Sequence, residues 1–114
     1  MAYMDFTLRD LPQDVRELAL AAVRTLAERG SHGLVEDGLC PPEAEQVLAV
    51  NRGDYPGNLI EMPESAELDF HVKDGIWKLD LPLHDDREGR MDLFIFLEID
   101  PRVRSVKVTG LYTP

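Results

Sequence analysis

The spacing of apolar residues changes once along this chain, and the change divides it in two. As far as about residue 53 apolar positions recur every three or four residues; from Leu68 they recur every second residue. A period near 3.6 lays side chains along one stripe of a helix, and a period of two lays them on one face of a strand. Helices first and strands afterwards argue against the alternating strand–helix–strand units of a parallel sheet. The expectation is an α+β domain, with one long and one short helix packed on a four-stranded antiparallel meander.

Residues 1–9 read as an extended or irregular lead-in, and 10–53 as the helical part. Asp10 is the expected N-cap, with Gln13 three residues on as in a capping box and Pro12 in the first turn. Leu11, Val15, Leu18, Ala22 and Leu26 then form a single apolar stripe. The helix is expected to run to about Arg29, with Gly30 as its stop. "SHGLVEDGL" reads as loop and "CPPEAEQVLAVNRG" as the short helix. Its prolines suit a helix start, Glu43 and Glu45 suit the positive end of the dipole, and Ala44, Val47, Leu48 and Asn51 would line its inner face. "DYPGN" reads as a turn.

The meander is expected over 66–112. Leu68, Phe70 and Val72 alternate with Asp69, His71 and Lys73, and Asp74-Gly75 signals a two-residue hairpin turn. Trp77, Leu79, Leu81 and Leu83 then share a face, which the long helix should cover, burying Trp77. In "MDLFIFLEI" Met91, Leu93, Ile95, Leu97 and Ile99 take one face, and Phe94 and Phe96 the other. Apolarity on both faces marks a central strand. Asp100-Pro101 turns the chain into a last strand, "RVRSVKVTGLY". The 114 residues make one domain, 1–114, large enough to build a core unaided.

Charge narrows the function. The net charge is −10, and residues 36–69 hold nine acids against one base, Arg52. That field repels nucleic acid and anionic membrane and attracts a basic protein. The candidate partner-binding carboxylates are Glu36, Asp37, Glu43, Glu45, Glu61 and Glu64, with Asp85 and Asp86 from the strand region. A single cysteine, Cys40, rules out an intrachain disulfide and favours a reducing compartment. The first ten residues lack the basic and apolar regions of a secretory leader, so the expected location is cytoplasmic.

The densest polar cluster is His84, Asp85, Asp86 and Glu88. A histidine beside carboxylates suits a metal ion or a general base. Consecutive residues point in different directions, however, and no second histidine stands at a ligand spacing, so the stretch reads as a charged turn. Cys40 reads as a structural thiol. No phosphate-binding glycine loop, nucleophile elbow or zinc-protease motif is present. The expectation is therefore a protein without catalytic residues, metal or cofactor. An alternative reading is a structural domain that forms homodimers through Phe94, Phe96 and Ile76 on the second sheet face.

Trp77, Asp80, Pro82, Leu83, Glu88, Gly89, Arg90, Asp92 and Leu93 form the pattern Trp-x-x-Asp-x-Pro-Leu, a short acidic loop, then Glu-Gly-Arg-x-Asp-Leu. In this pattern the chain resembles a family of small, functionally uncharacterised bacterial domains, over about residues 33–114. It departs from it at His84, where an aromatic residue is common, and at Met91, where a small polar one is expected. The resemblance transfers no catalytic residue. It implies an association with bacterial toxin–immunity and conflict systems, hence an immunity or inhibitor protein with a toxin as its basic partner. Read from the residues alone, the motif is a clamp at a strand start, with Glu88 or Asp80 paired to Arg90 across the hairpin.

Overall fold

The computed structural model describes residues 6–53, 58–87 and 89–114. Five strands form one antiparallel sheet in sequence order: β1 Phe6–Thr7, β2 Glu67–Lys73, β3 Ile76–Asp85, β4 Gly89–Asp100 and β5 Ser105–Tyr112. Two α-helices, α1 Gln13–Glu36 and α2 Glu45–Gly53, lie between β1 and β2 in the chain. The class is α+β, with five strands rather than four. The additional strand belongs to the lead-in, where Phe6 pairs with Leu68 and Thr7 with Glu67. Two residues are too few to show a period, and their partner lies beyond both helices. The expected turn at 54–58 falls mostly outside the described residues, as do positions 1–5 of the lead-in.

Asp10 does not cap α1. Its carboxylate accepts a 2.8 Å hydrogen bond from the Thr7 N–H and closes a separate 3₁₀ turn, Leu8–Asp10, while Pro12 is the N-cap of α1. The helix also passes its expected stop. Gly30 takes φ 68° and ψ −164°, a region essentially closed to other residues, and helical structure resumes through Glu36. Burial explains the continuation, because Leu34 beyond the bend is fully enclosed. The helix ends at Gly38 (φ 74°), where Leu39 N–H reaches Leu34 O and Gly38 N–H reaches Val35 O. That paired arrangement satisfies the last carbonyls of the helix.

The second helix is shorter than expected, a 3₁₀ turn at Pro42–Ala44 preceding α2. Leu48 is its buried residue, while Val47, expected on the inner face, is 61% exposed. Asn51 faces the sheet and donates from Nδ2 to Leu111 O at 2.6 Å. The Val108 N–H likewise donates to Leu39 O at 2.7 Å. These two bonds occupy backbone groups along β5, a strand at the margin of the sheet, and so shield that edge.

Val15, Ala19, Ala22 and Leu26 of α1 pack with Leu79, Leu81, Ile95, Leu97, Ile99 and Leu111 in one core. Cys40 is buried at its margin, and burial pushes its thiol pKa up, in keeping with a structural role. Trp77 packs against this core but is only half-buried. It stands in a row of rings, 5.2 Å from Phe70, which is itself 4.3 Å from Phe6. The expected face is right; full burial under α1 is not observed.

Candidate functional site

The register of β2 to β5 defines a second sheet face, made of the residues that alternate with the core. Asp69, Asp80, Phe96 and Gly110 form one row across the four strands. Pro82, Phe94 and Tyr112 form the next row, and His71, Lys78, Glu98 and Lys107 the row on the other side. Asp80, His71, Lys78, Lys107 and Tyr112 are exposed, so much of this face meets solvent.

Three rings make its apolar part. Phe96 stacks on Tyr112 with centroids 4.4 Å apart and planes 19° apart, and Phe94 lies 6.1 Å from Phe96. Phe94 is 7% exposed and forms the floor, whereas Tyr112 is 49% exposed. Gly110 permits the stack. A Cβ there would sit 2.6 Å from Cε2 of Tyr112, so only glycine leaves room for the ring to fold back across β5.

Beside the rings, Asp80 stands directly opposite Asp69. Partial burial, followed by the charge of Asp69, raises the pKa of Asp80, and nearby His71 offsets this in part. Like charges opposed across a ladder are destabilising. The face therefore sets the carboxylate of Asp80 beside a preformed aromatic surface, a chemistry suited to a cation, with Lys78 and Lys107 in the neighbouring row.

The acidic segment behaves differently. Arg29 binds Glu36 at 3.6 Å and also binds Asp37, whose carboxyl it holds below the usual carboxylate range. Glu61 bonds Arg24 at 3.3 Å, Glu64 meets Arg9 at 3.7 Å, and Glu45 lies 2.9 Å from Nδ1 of His32. These pairs tie the segment to α1 and its approach. Glu43 is exposed at the 3₁₀ turn before α2.

"HDDREGR" is only partly a turn. His84 and Asp85 are the last residues of β3 and are buried, 9% and 6% exposed, so Asp85 is not presented to a partner. Their cover comes from far back in the chain. Ile60 N–H donates to His84 O, Asp86 N–H donates to Asn58 O, and Asn58 donates from both its backbone N and its Nδ2 to the Asp86 carboxylate. Those bonds hold Asp86 below the usual carboxylate range. Asn58 holds the Asp86 carboxylate, and Arg90 reaches across β3 to Glu67 at 3.6 Å rather than to Asp80. Glu88 lies outside the described residues. Gly89 (φ 80°) opens β4, and Asp92 is exposed on that strand.

Among the described residues Nδ1 of His84 has no hydrogen-bond partner; burial lowers the pKa of the ring, and a hydrogen bond with the Pro82 backbone offsets this in part. Ile76, expected beside the phenylalanines, pairs with Lys73 at the start of β3, with Lys78 and Glu98 between it and Phe96. A separate groove of about 270 Å³ runs between α1 and residues 59–62, lined by Leu20, Val23, Ala27, Leu59 and Met62 with the Arg24–Glu61 pair. Among the described residues, no group of three or more His, Cys, Asp or Glu is placed to hold a metal ion. No described helix is long and apolar enough to cross a membrane.

Tyr112 escapes a reading by alternation for a physical reason. Val106 and Val108 face the core, so parity would send Tyr112 there too. The register shifts between Phe96 and Leu97, which leaves Thr109 unmatched and moves Leu111 inward and Tyr112 outward. Comparison of the chain with protein-family models, with curated proteins and with solved structures found no match.

Proposed function

We propose that this protein is a non-enzymatic, acidic binding protein of the immunity or inhibitor kind, which engages and blocks a basic partner protein. The observation that carries the reading is how the charge is spent. Arg9, Arg24, Arg29, Arg90 and Arg102 are each bonded to a carboxylate of the same chain. With 22 acidic against 12 basic residues, one-to-one pairing of these arginines leaves the net charge of −10 unchanged. Such a field accelerates encounter with a basic surface and disfavours polyanions. The resemblance of residues 33–114 to domains of toxin–immunity systems supports a toxin as the partner.

The test begins with photo-crosslinking in an extract of the source cells, followed by reconstitution with the partner identified. A basic protein is expected. Its association rate should fall about tenfold or more between low and high salt as the field is screened. A rate indifferent to ionic strength would refute the reading, as would turnover of a small-molecule substrate by the purified protein.

A further inference from the structure

We propose that the exposed sheet face is the docking surface, and that its occupant is an arginine side chain presented by a basic partner protein. The guanidinium would lie flat on the Phe96–Tyr112 stack with its N–H groups directed at Asp80 and Asp69. This deepens the function proposed above and rests on it.

Four observations converge. The rings are already stacked at 4.4 Å, so no ordering is needed to form the platform. Asp80 is the direct cross-strand neighbour of both Phe96 and Asp69, which puts carboxylates at the rim of the ring surface. The foremost charged influence on Asp80 is another carboxylate, so an arriving cation removes a repulsion as well as forming a bond. The platform is carried on β3, β4 and β5 above the buried Phe94, a rigid mount rather than a loop.

The chemistry selects arginine over lysine. A planar guanidinium stacks on an aromatic face while donating in its own plane to carboxylates, whereas an ammonium is a strongly hydrated point charge. Charge complementarity also separates a basic protein from a second copy of this chain. The chain's net charge of −10 opposes the approach of two copies and favours a basic partner.

The test is an NMR titration of the intact protein with a blocked Gly-Arg-Arg-Gly peptide, its lysine counterpart and its uncharged citrulline counterpart. Arginine peptide is expected to shift the amides of Asp69, Asp80, Phe96 and Tyr112, at several-fold lower concentration than lysine peptide, with no response to citrulline. Asp80→Asn and Phe96→Leu should each weaken binding about tenfold while keeping the dispersed spectrum of a folded chain. Gly110→Ala should weaken it too, by displacing Tyr112. Shifts confined to residues 36–64 would overturn this surface and leave the acidic-binding reading standing. Equal response to arginine and citrulline would overturn the charge argument. Sedimentation as a dimer closed through Phe96 and Tyr112 would make a second copy the occupant. No response to any cationic peptide would overturn this surface, while the salt dependence of partner association decides the acidic-binding reading separately.

Discussion

His84 is a buried imidazole with an unsatisfied Nδ1, and it stands opposite Arg90 in the ladder between β3 and β4. Burial holds its folded-state pKa below the ordinary 6.5, so the unfolded chain takes up a proton first as pH falls. The stability associated with the neutral ring is complete above about pH 6.5 and is lost progressively between there and the lower folded value. Urea unfolding at a series of pH values should show wild type losing stability relative to His84→Gln on mild acidification; a relative gain would contradict a buried neutral ring. Asp80 has the opposite sign. Its folded pKa is raised, so its penalty exists while it is charged and vanishes once it is protonated. Asp80→Asn should therefore stabilise the neutral protein by about 0.2–1 kcal/mol, with the advantage closing through the carboxylate range. Neither residue is legible alone in the sequence. His84 sits among charges and reads as a turn because Asn58 and Ile60, which cover it, are supplied by a distant segment. Asp80 reads as one polar alternate among several until the register sets it against Asp69.

Gly30 separates two meanings of glycine in a helix. At φ 68° and ψ −164° it occupies a region costing other residues about 1–3 kcal/mol, and among the described residues no atom beyond its chain neighbours and its own helix backbone lies within 4 Å of where a Cβ would sit. Gly30→Ala should thus lower stability by about that amount through the backbone alone, without loss of core packing; an unchanged denaturation midpoint would refute the strain. The sequence shows a glycine at the end of an apolar stripe, and its usual meaning there is a stop. The bend is invisible because the burial of Leu34 decides it. In the sheet, by contrast, the alternation of β2 to β4 and the Asp74-Gly75 turn are plain in the residues, and both turn positions take positive φ, 54° and 80°. Helix α2 contributes most through one side chain. Asn51→Ala removes a partly buried bond to Leu111 O and should cost about 0.5–1.5 kcal/mol, and it should raise the tendency of concentrated samples to aggregate through the freed edge of β5. Light scattering of wild type and variant at matched concentration checks this.

Net charge acts on the entire fold. A surplus of −10 on 114 residues repels itself in the compact state, so sodium chloride added at neutral pH should raise the thermal midpoint. A midpoint that falls would mean that the exposed ion pairs outweigh the repulsion, contrary to their modest individual worth. The sheet carries a different kind of asymmetry. Strands β2 to β5 follow one another through short turns, but β1 finds β2 only after both helices have been laid down between them. Closing so large a loop is slow and yields little, since the pairing is two residues long and is backed by Leu8 N–H to Ala66 O and Arg9 N–H to Glu64 O. In a growing polypeptide the first of these five strands to be made is thus the last to be seated: Phe6 leaves the ribosome before its partner and waits until Leu68 has emerged and the meander has taken shape.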